Sequence, residues 1–343
     1  MFDMAPPDPM AEVELKMRAL VCFAFGLLCM TGSLSATPQS LTMEAVNDAS
    51  DLSVKPGKDV SPVLIKAQVL LDRARFSPGV IDGRGGENMQ NAIRAFEKAR
   101  DLKVDGALDD ELWTKLNEIS GDPVLISYTI TDKDVKGPFA KIPDKMEDQA
   151  KLERLSYSSP EELLAEKFHM DADLLKELNP GKRFDEAGAS IVVANVSPSP
   201  ETQEKAEIEK IEVSKSEHVL RVLGKDGAVI AVYPASIGSD EKPAPTGTYR
   251  VKAIAPNPVY TYNPDYAFKG VKAQKKFEIK PGPNNPVGST WIDLSIESFG
   301  IHGTPEPEKV GKVYSNGCVR LTNWDVEELA GMVRKGTPVV FLD

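Results

Sequence analysis

The chain has 343 residues, which is too long for one small hydrophobic core and predicts two or three domains. Its composition is ordinary for a globular protein, with 41% apolar and 27% charged residues. The formal net charge of −11 argues against binding to nucleic acid and against adhesion to an anionic membrane surface.

An apolar run near the start of the chain has the features of a leader. Ala19–Met30 would form a helix about 18 Å long, which is short of the ~30 Å hydrocarbon core of a membrane. Lys16 and Arg18 precede it and small residues follow it, a layout typical of a secretory signal peptide. We therefore predict a signal peptide at residues 1–36, with translation starting at Met17 because the stretch before it is acidic, and no membrane span in the mature protein. The alternative is an uncleaved short anchor.

Removal of this leader would leave Cys318 as the one cysteine of the mature chain. An exported protein lives where thiols become oxidised, and this cysteine would have no intramolecular partner. Such a thiol is either an inert buried side chain or a residue retained for its chemistry. The residues around Cys318 in the sequence are needed to distinguish these two interpretations.

Residues 37–58 are polar and lack periodicity, which predicts a tether, and residues 59–122 predict three helices. Ser61 followed by proline is typical of a helix N-terminus, and apolar residues then recur at helical spacing. Asp-Gly turns at residues 82–83 and 105–106 precede the second and third helices. This repeated arrangement resembles the peptidoglycan-binding domain 1 family, a small three-helix module. The alternative is a generic three-helix bundle.

Residues 123–196 predict an α+β module. The predicted order is strand, helix, helix, strand, with strands at 124–130 and 190–194 and helices that begin at the capping box Ser159–Glu162 and at Asp171. The Leu-Asn-Pro-Gly sequence at 178–181 and the closing apolar strand resemble a LysM module. A long charged insertion at 131–154 departs from that pattern at the place where a LysM groove forms. The alternative is an unrelated α+β spacer.

A linker is predicted at residues 197–210, which are rich in Pro, Ser, Glu and Lys. Residues 211–343 predict a mostly β domain, with alternating apolar runs and a hairpin turn at 225–227. Its predicted strands lie at 211–213, 219–223, 229–233, 247–253, 291–294 and 338–342. One helix is predicted at 324–333.

Two short motifs in this β domain lie sixteen residues apart, Ile-His-Gly-Thr around His302 and Ser-Asn-Gly-Cys-Val-Arg-Leu around Cys318. A free thiol is only a few per cent thiolate at neutral pH. A neighbouring imidazole can take its proton, and the resulting thiolate–imidazolium pair is reactive. His169 and His218 lie in other contexts, so His302 is the candidate base.

Residues beside the cysteine would complete such a site. Gly317 would let backbone amides approach a substrate oxygen, as an oxyanion hole requires. Arg320 could bind a carboxylate through its planar guanidinium. Each residue also has a structural alternative, in which His302 is a turn residue, Cys318 is inert, and Arg320 pairs at the surface with Asp325 or Glu327.

The two motifs closely resemble the signature of the L,D-transpeptidase (YkuD-type) family, as do residues 245–249, 281–288 and 336–339. The resemblance implies that Cys318 is the nucleophile, His302 its base and Gly303 the residue whose carbonyl orients the imidazole. It further implies oxyanion-hole amides from Gly317 and Cys318, and an arginine, Arg320, at the carboxylate end of the substrate.

The remaining site predictions concern the same motif and one loop. Ser315 and Asn316 belong to the cysteine motif and are predicted to contribute to substrate binding, and Asn316 stands where the family more often has histidine. The loop 255–280 is predicted to fold over the groove with Tyr260, Tyr262 and Tyr266. An ordinary long loop is the alternative.

The predicted fold class is multidomain α+β, with a three-helix bundle, a LysM-like module and a mostly β catalytic domain at 211–343. The resemblance implies a periplasmic, wall-associated enzyme that forms 3→3 cross-links between peptidoglycan stem peptides, with no cofactor and no metal. Its partners would be stem peptides and glycan, and no nucleic acid. The alternatives are a carboxypeptidase or endopeptidase, an enzyme that attaches a protein to the wall, and a non-catalytic wall-binding scaffold.

Overall fold

The fold was determined as a computed structural model that describes residues 41–53, 57, 59–196, 207–239, 241–266, 273–315 and 317–343. The predicted signal peptide lies outside the described residues, as does most of the predicted linker. Among the described helices, none has the length and apolar character needed to cross a membrane.

Four helices open the described chain: α1 (Met43–Asn47), α2 (Pro62–Arg73), α3 (Glu87–Ala99) and α4 (Asp110–Glu118). The last three occupy the predicted positions. Ser61 is the N-cap residue and Pro62 begins α2, as predicted, although the Ser61 side chain makes no capping hydrogen bond. The Asp109 carboxylate does cap α4, where it accepts a 2.9 Å hydrogen bond from the Leu112 amide.

Helix α1 lies within the segment predicted to be a tether. Its Val46 side chain is fully buried in the core formed with the following helices. The Asn47 side chain donates a 3.0 Å hydrogen bond to the Leu125 carbonyl and accepts one of 2.8 Å from the Leu125 amide. A polar, aperiodic sequence can therefore be ordered, because one apolar contact and one amide pair attach it to the next module.

The segment that follows contains β1 (Leu125–Thr129), α5 (Asp132–Lys136), α6 (Met146–Gln149), α7 (Pro160–Lys167), α8 (Ala172–Leu178) and β2 (Ser190–Ala194). The two strands pair in an antiparallel manner, with Leu125 opposite Ala194. The Ser159 hydroxyl caps α7, and Asp171 caps α8. The charged insertion between β1 and α7 is ordered and contributes the short helices α5 and α6.

The C-terminal part is mostly β. Its elements are β3 (Ile208–Ser214), β4 (Val219–Gly224), β5 (Val229–Pro234), β6 (Ser236–Ile237), β7 (Gly247–Pro256), β8 (Tyr260–Tyr262), β9 (Phe277–Ile279), β10 (Thr290–Leu294), β11 (Gly300–His302), β12 (Val319–Arg320), α9 (Asn323–Met332) and β13 (Pro338–Leu342). Short 3₁₀ turns lie at Lys225–Gly227, Pro264–Tyr266 and Pro307–Lys309.

Nine of these strands form one sheet in the order β5-β4-β3-β13-β7-β10-β11-β12-β6, and β8 pairs separately with β9. Most pairs are antiparallel, but β13 pairs with β3 and β11 pairs with β12 in parallel. Helix α9 packs on β10 and β11. The buried side chains of this part form their own apolar core, which includes Ile211, Leu220, Val251, Ile292 and Leu329.

The upstream helices and the large sheet are joined by backbone hydrogen bonds. The Ser77 amide donates to the Val232 carbonyl at 2.9 Å, and the Val232 amide donates to the Arg75 carbonyl at 2.8 Å. Val219 and Val232 of the sheet belong to the same apolar cluster as the cores of the two upstream segments. Residues 40–343 accordingly form one compact unit rather than three separated bodies.

Candidate active site

The strand register brings the two predicted motifs together. Parallel pairing of β11 with β12 places His302 opposite Arg320 and Ile301 opposite Val319. Residues in register point to the same face, and alternate residues point to opposite faces. Ile301 and Val319 are fully buried in the core. His302, Arg320 and, two residues before it, Cys318 therefore share the other face.

This face of the sheet forms the wall of a cavity of about 760 Å³. Its volume is within the 300–1,000 Å³ range that is usual for small-molecule sites. The cavity is lined by Met146, Lys242, Pro243, Ala255, Pro258, Val259, Tyr260, Thr261, Pro286, Val287, Trp291, Ser298, Phe299, His302, Ser315, Gly317, Cys318 and Arg320.

Backbone and aromatic contacts fix the imidazole of His302. Its Nδ1 lies 2.6 Å from the Gly303 carbonyl oxygen, so Nδ1–H donates and Nε2 remains as the acceptor. The ring stacks on Trp291, with centroids 5.5 Å apart and an interplanar angle of 17°. Burial, together with the positive charge of Arg320, lowers the pKa of His302 to about 3. The imidazole is therefore neutral at physiological pH.

The thiol of Cys318 is also neutral in the resting site. It donates a 3.7 Å hydrogen bond to the Ser298 carbonyl. Burial raises the pKa of Cys318, although a hydrogen bond from the Gly300 backbone and the charge of Arg320 oppose the shift. The predicted thiolate–imidazolium pair is thus not the favoured resting state, because both ions would be desolvated. A neutral imidazole whose Nε2 is available as an acceptor can take a thiol proton during an attack.

Ser315 holds the turn that carries the cysteine. Its Oγ accepts hydrogen bonds from the amides of Gly238 (2.7 Å) and Gly317 (3.2 Å) and donates one of 2.5 Å to the Cys318 carbonyl. The Gly317 amide is thereby directed at Ser315, which differs from its predicted place in an oxyanion hole. Gly317 has φ +111°, a conformation that favours glycine. Asn316 lies outside the described residues.

Arg320 faces the cavity rather than the surface. Its Nε is buried and has no hydrogen-bond partner among the described residues. Of the two surface partners considered for it, the Asp325 carboxylate instead accepts a 3.2 Å hydrogen bond from the Ser77 hydroxyl. A buried, unsatisfied guanidinium nitrogen carries a free-energy penalty that an anionic ligand can relieve.

The three tyrosines of the predicted loop have different environments. Tyr260 lines the cavity, and burial raises its pKa to about 12. Tyr262 is only 2% exposed and stacks on Phe277 with centroids 4.7 Å apart, so it stabilises the β8–β9 hairpin instead of contacting a substrate. The side chain of Tyr266 lies outside the described residues.

Sequence reasoning missed several residues of this site. Trp291 was predicted only as part of a strand, although its register opposite His302 gives it the same face. Met146 reaches the cavity from the upstream segment, and no local sequence pattern signals that contact. Among the described residues, no group of three or more His, Cys, Asp or Glu side chains is placed to hold a metal ion.

Comparisons with known proteins match two parts of the chain to protein families. The sequence model of the L,D-transpeptidase catalytic domain (YkuD) matches residues 209–341, and that of the "Putative peptidoglycan binding domain" matches residues 61–116. The "Putative L,D-transpeptidase YkuD" of Bacillus licheniformis is 31% identical over 180 residues, which is 52% of this chain and 90% of that protein. The Bacillus subtilis protein of the same name is 30% identical over 177 residues, 51% of this chain and 89% of that protein.

A third relative matches a shorter stretch. The "Putative L,D-transpeptidase YqjB" of Bacillus subtilis is 34% identical over 137 residues, 38% of this chain and 69% of that protein. The two domain matches together imply a peptidoglycan substrate. The chain belongs to the YkuD-type L,D-transpeptidase family, and it is an enzyme that carries a peptidoglycan-binding domain upstream of its catalytic domain.

Proposed function

We propose that this enzyme forms 3→3 cross-links in peptidoglycan by acyl transfer through Cys318. The observation that carries the proposal is that His302, Arg320 and Cys318 share one face of the sheet and line one cavity. The cavity therefore combines a thiol, a proton acceptor and a cationic group, which suit a peptide donor that ends in a carboxylate.

In the first step, Sγ of Cys318 attacks the carbonyl carbon that joins the L-centre of a diaminopimelate residue to the terminal D-Ala. Nε2 of His302 accepts the thiol proton as the carbon–sulfur bond forms. The C–N bond then breaks, and the imidazolium returns the proton to the leaving D-Ala amine. A thioester to Cys318 remains.

In the second step, the side-chain amine of a second stem peptide attacks the thioester. His302 removes a proton from the attacking nitrogen and passes it to the departing sulfur, which restores the neutral thiol and imidazole. The products are a 3→3 cross-linked peptide and free enzyme. The neutral resting pair fits this cycle, because both steps begin and end with it.

Two further groups have proposed roles. Arg320 binds the terminal carboxylate of the donor, which would satisfy its buried Nε. The backbone amide of Cys318 is the oxyanion donor that remains of the predicted pair, since the Gly317 amide is bonded to Ser315. Gly303 orients the imidazole through its carbonyl.

We also propose the wider organisation of the protein: a signal peptide at 1–36, a connecting segment at 37–58 whose helix α1 docks on the next module, a three-helix peptidoglycan-binding domain at 59–122, a LysM-like module at 123–196, a linker at 197–207 and a catalytic domain that begins with β3 at Ile208. The antiparallel β1–β2 pair, with helices α7 and α8 between the two strands in sequence, supports the LysM-like assignment. The ordered insertion adds the short helices α5 and α6 to this module, and helix α1 lies before the three-helix domain. The proposed location is the periplasm, at the cell wall.

The central test uses purified enzyme and disaccharide-tetrapeptides. Cys318→Ala should abolish both the thioester adduct and the cross-linked product. If this variant still formed the product, Cys318 would not be the nucleophile. Mass spectrometry of the products identifies the acceptor. A tripeptide product would indicate transfer to water, and a peptide joined to a protein lysine would indicate wall anchoring. Failure of Cys318 to react with a carbapenem or an alkylating probe would favour the non-catalytic scaffold.

A further inference from the structure

The cavity that contains Cys318 has one wall from outside the catalytic domain. Met146 is the first residue of helix α6, which belongs to the charged insertion of the upstream α+β segment. Its half-buried side chain lines the same cavity as Cys318. The two residues are separated by more than half the chain, so only the tertiary fold brings them together.

The residues that directly follow the insertion fix its C-terminal end to the catalytic domain by hydrogen bonds close to this wall. The Leu155 amide donates to the Pro281 carbonyl, and the Asn284 amide donates to the Leu155 carbonyl, both at 3.0 Å. The Asn284 side chain also donates to the Ser156 carbonyl at 3.0 Å and to Glu162 Oε1 at 2.7 Å. Pro281 and Asn284 belong to a loop that continues directly into residues 286–287, which line the cavity. The insertion therefore supports the wall as well as contributing to it.

The loop 281–285 of the catalytic domain packs closely against the docked segment at Gly282. This residue has φ +148°, and a Cβ atom built on it would lie 2.0 Å from the Leu155 carbonyl oxygen. No side chain can occupy that position while the insertion is docked. The contact between the two segments is therefore a built interface and not an incidental approach.

The chemistry of the wall indicates what it contacts. Met146, Pro258, Val259 and Val287 present apolar surface in a cavity that also holds the cationic Arg320. A ligand that fits has a carboxylate and an aliphatic chain. Methionine suits such a chain, because its flexible and polarizable side chain adapts to irregular apolar surfaces.

We propose that Met146, held in place by the docked insertion, is a specificity-determining residue that contacts the aliphatic part of the donor stem peptide before acylation. This inference rests on the proposed function, since it names a further contact in the same groove. It gives the upstream segment a role in substrate recognition that is independent of glycan binding.

The test compares two reactions of Cys318 in the full-length enzyme: acylation by a tetrapeptide donor, followed by mass spectrometry, and alkylation by iodoacetamide, which is too small to need the wall. Met146→Ala should lower kcat/KM for acylation about 10-fold, because the loss of a few methylene groups from an apolar pocket has effects of that order. The change should appear in KM, while kcat and the rate of alkylation stay the same. Met146→Leu should restore most of the efficiency. Glu147→Ala, the next residue on the helix, is the matched control and should change neither reaction.

A second variant tests the docking. Asn284→Asp places a carboxylate beside the Ser156 carbonyl and the Glu162 carboxylate, so it should release the insertion and reproduce the selective loss of donor binding. Unchanged KM in Met146→Ala overturns the proposal, whether or not Asn284→Asp folds. Failure of the proposed function has a different signature: the parent enzyme would be alkylated but would form no thioester with the donor.

Discussion

The side chain of Asn323 links Glu166 of the upstream segment to the strand end that carries His302. Its Nδ2 donates hydrogen bonds to Glu166 Oε1 at 3.0 Å and to the Pro283 carbonyl at 3.2 Å, and its Oδ1 accepts one of 3.0 Å from the Ser289 amide. Gly303 packs so closely that a Cβ atom on it would lie 2.2 Å from Asn323 Oδ1. Gly303, whose carbonyl orients His302, therefore packs against a side chain that is itself hydrogen-bonded to the upstream segment.

Asn323→Ala should destabilise the whole unit. Asn323 is only 1% exposed, and its substitution leaves the Ser289 amide without its acceptor and removes one of the donors to Glu166, which keeps the hydrogen bond from Tyr157. An unsatisfied buried group costs about 1–3 kcal/mol. Denaturant unfolding followed by circular dichroism measures the loss. Asn117→Ala, at an exposed helical position, is the control and should have little effect. Equal stability of the two variants would contradict the structural role of Asn323.

The stability of the protein should depend on the ionisation of Glu166. Burial raises the pKa of this carboxyl from 4.5 to about 7, although hydrogen bonds from Tyr157 and Asn323 oppose the shift. A folded-state pKa above the unfolded value means that the folded state binds more protons, so this contribution to stability is complete below pH 4.5 and is lost as the pH rises through 7.

Glu166→Gln isolates that contribution, since glutamine remains neutral. The Tm of the variant relative to the parent should therefore rise as the pH increases from about 5 to about 8. Thermal unfolding of both proteins in matched buffers measures it. Glu153→Gln, an exposed position on the same segment, controls for the change in net charge. A constant Tm difference across the range would show that Glu166 is ionised throughout.

The reactivity of Cys318 should show that the resting thiol is protonated. Because burial raises its pKa above the usual 9.0, the rate of alkylation by iodoacetamide should continue to increase with pH beyond that value. A plateau near neutral pH would instead indicate a thiolate–imidazolium pair. The measurement needs only the purified enzyme and mass spectrometry of the labelled cysteine.

His302 should act during acylation and not by ionising the resting thiol. His302→Asn should reduce acylation by the donor about 10²- to 10⁴-fold, which is the usual contribution of a general base. Since the pKa of His302 is lowered to about 3, acylation by the parent enzyme should not fall as the pH decreases through 6.5. His218→Asn is the matched control, because asparagine tolerates the positive φ of that residue and His218 does not line the cavity.

Arg320 should recognise the carboxylate of the donor. Arg320→Ala should weaken acylation ~10- to 100-fold, as expected for the loss of a hydrogen bond to a charged group. A donor whose terminal D-Ala carries an amide in place of the carboxylate should be equally poor with the parent and the variant. If the variant lowered the rate with both donors by the same factor, Arg320 would serve another purpose.

Local sequence patterns were sufficient to place most of the elements. The strand at 338–342 has the predicted bounds, and the predicted helix at 324–333 is shifted by one residue. The two motifs predicted that His302 and Cys318 could face each other, and both line one cavity, although Cys318 lies at the start of its strand and not at its end. Alternation along a strand and the spacing of helical apolar residues are properties of neighbours in sequence, so they can be read directly.

The features that sequence reasoning missed depend on contacts between distant residues. The neutral state of the thiol and imidazole results from burial, which no motif encodes. The diversion of the Gly317 amide to Ser315 and the burial of Tyr262 depend on how individual side chains pack. From the upstream segment, Met146 lines the cavity and Glu166 accepts a hydrogen bond from Asn323, and their neighbours in sequence are those of ordinary surface helices.

The two hydrogen bonds between Val232 and residues 75–77 have a mechanical consequence. They join the edge of the sheet to the helical module, so the module that matches the peptidoglycan-binding family is held directly against the catalytic sheet. Any peptidoglycan bound to that module would therefore lie at a distance and orientation that are fixed relative to Cys318. Melting of residues 40–343 should accordingly give a single calorimetric peak, since neither part can unfold without exposing the other.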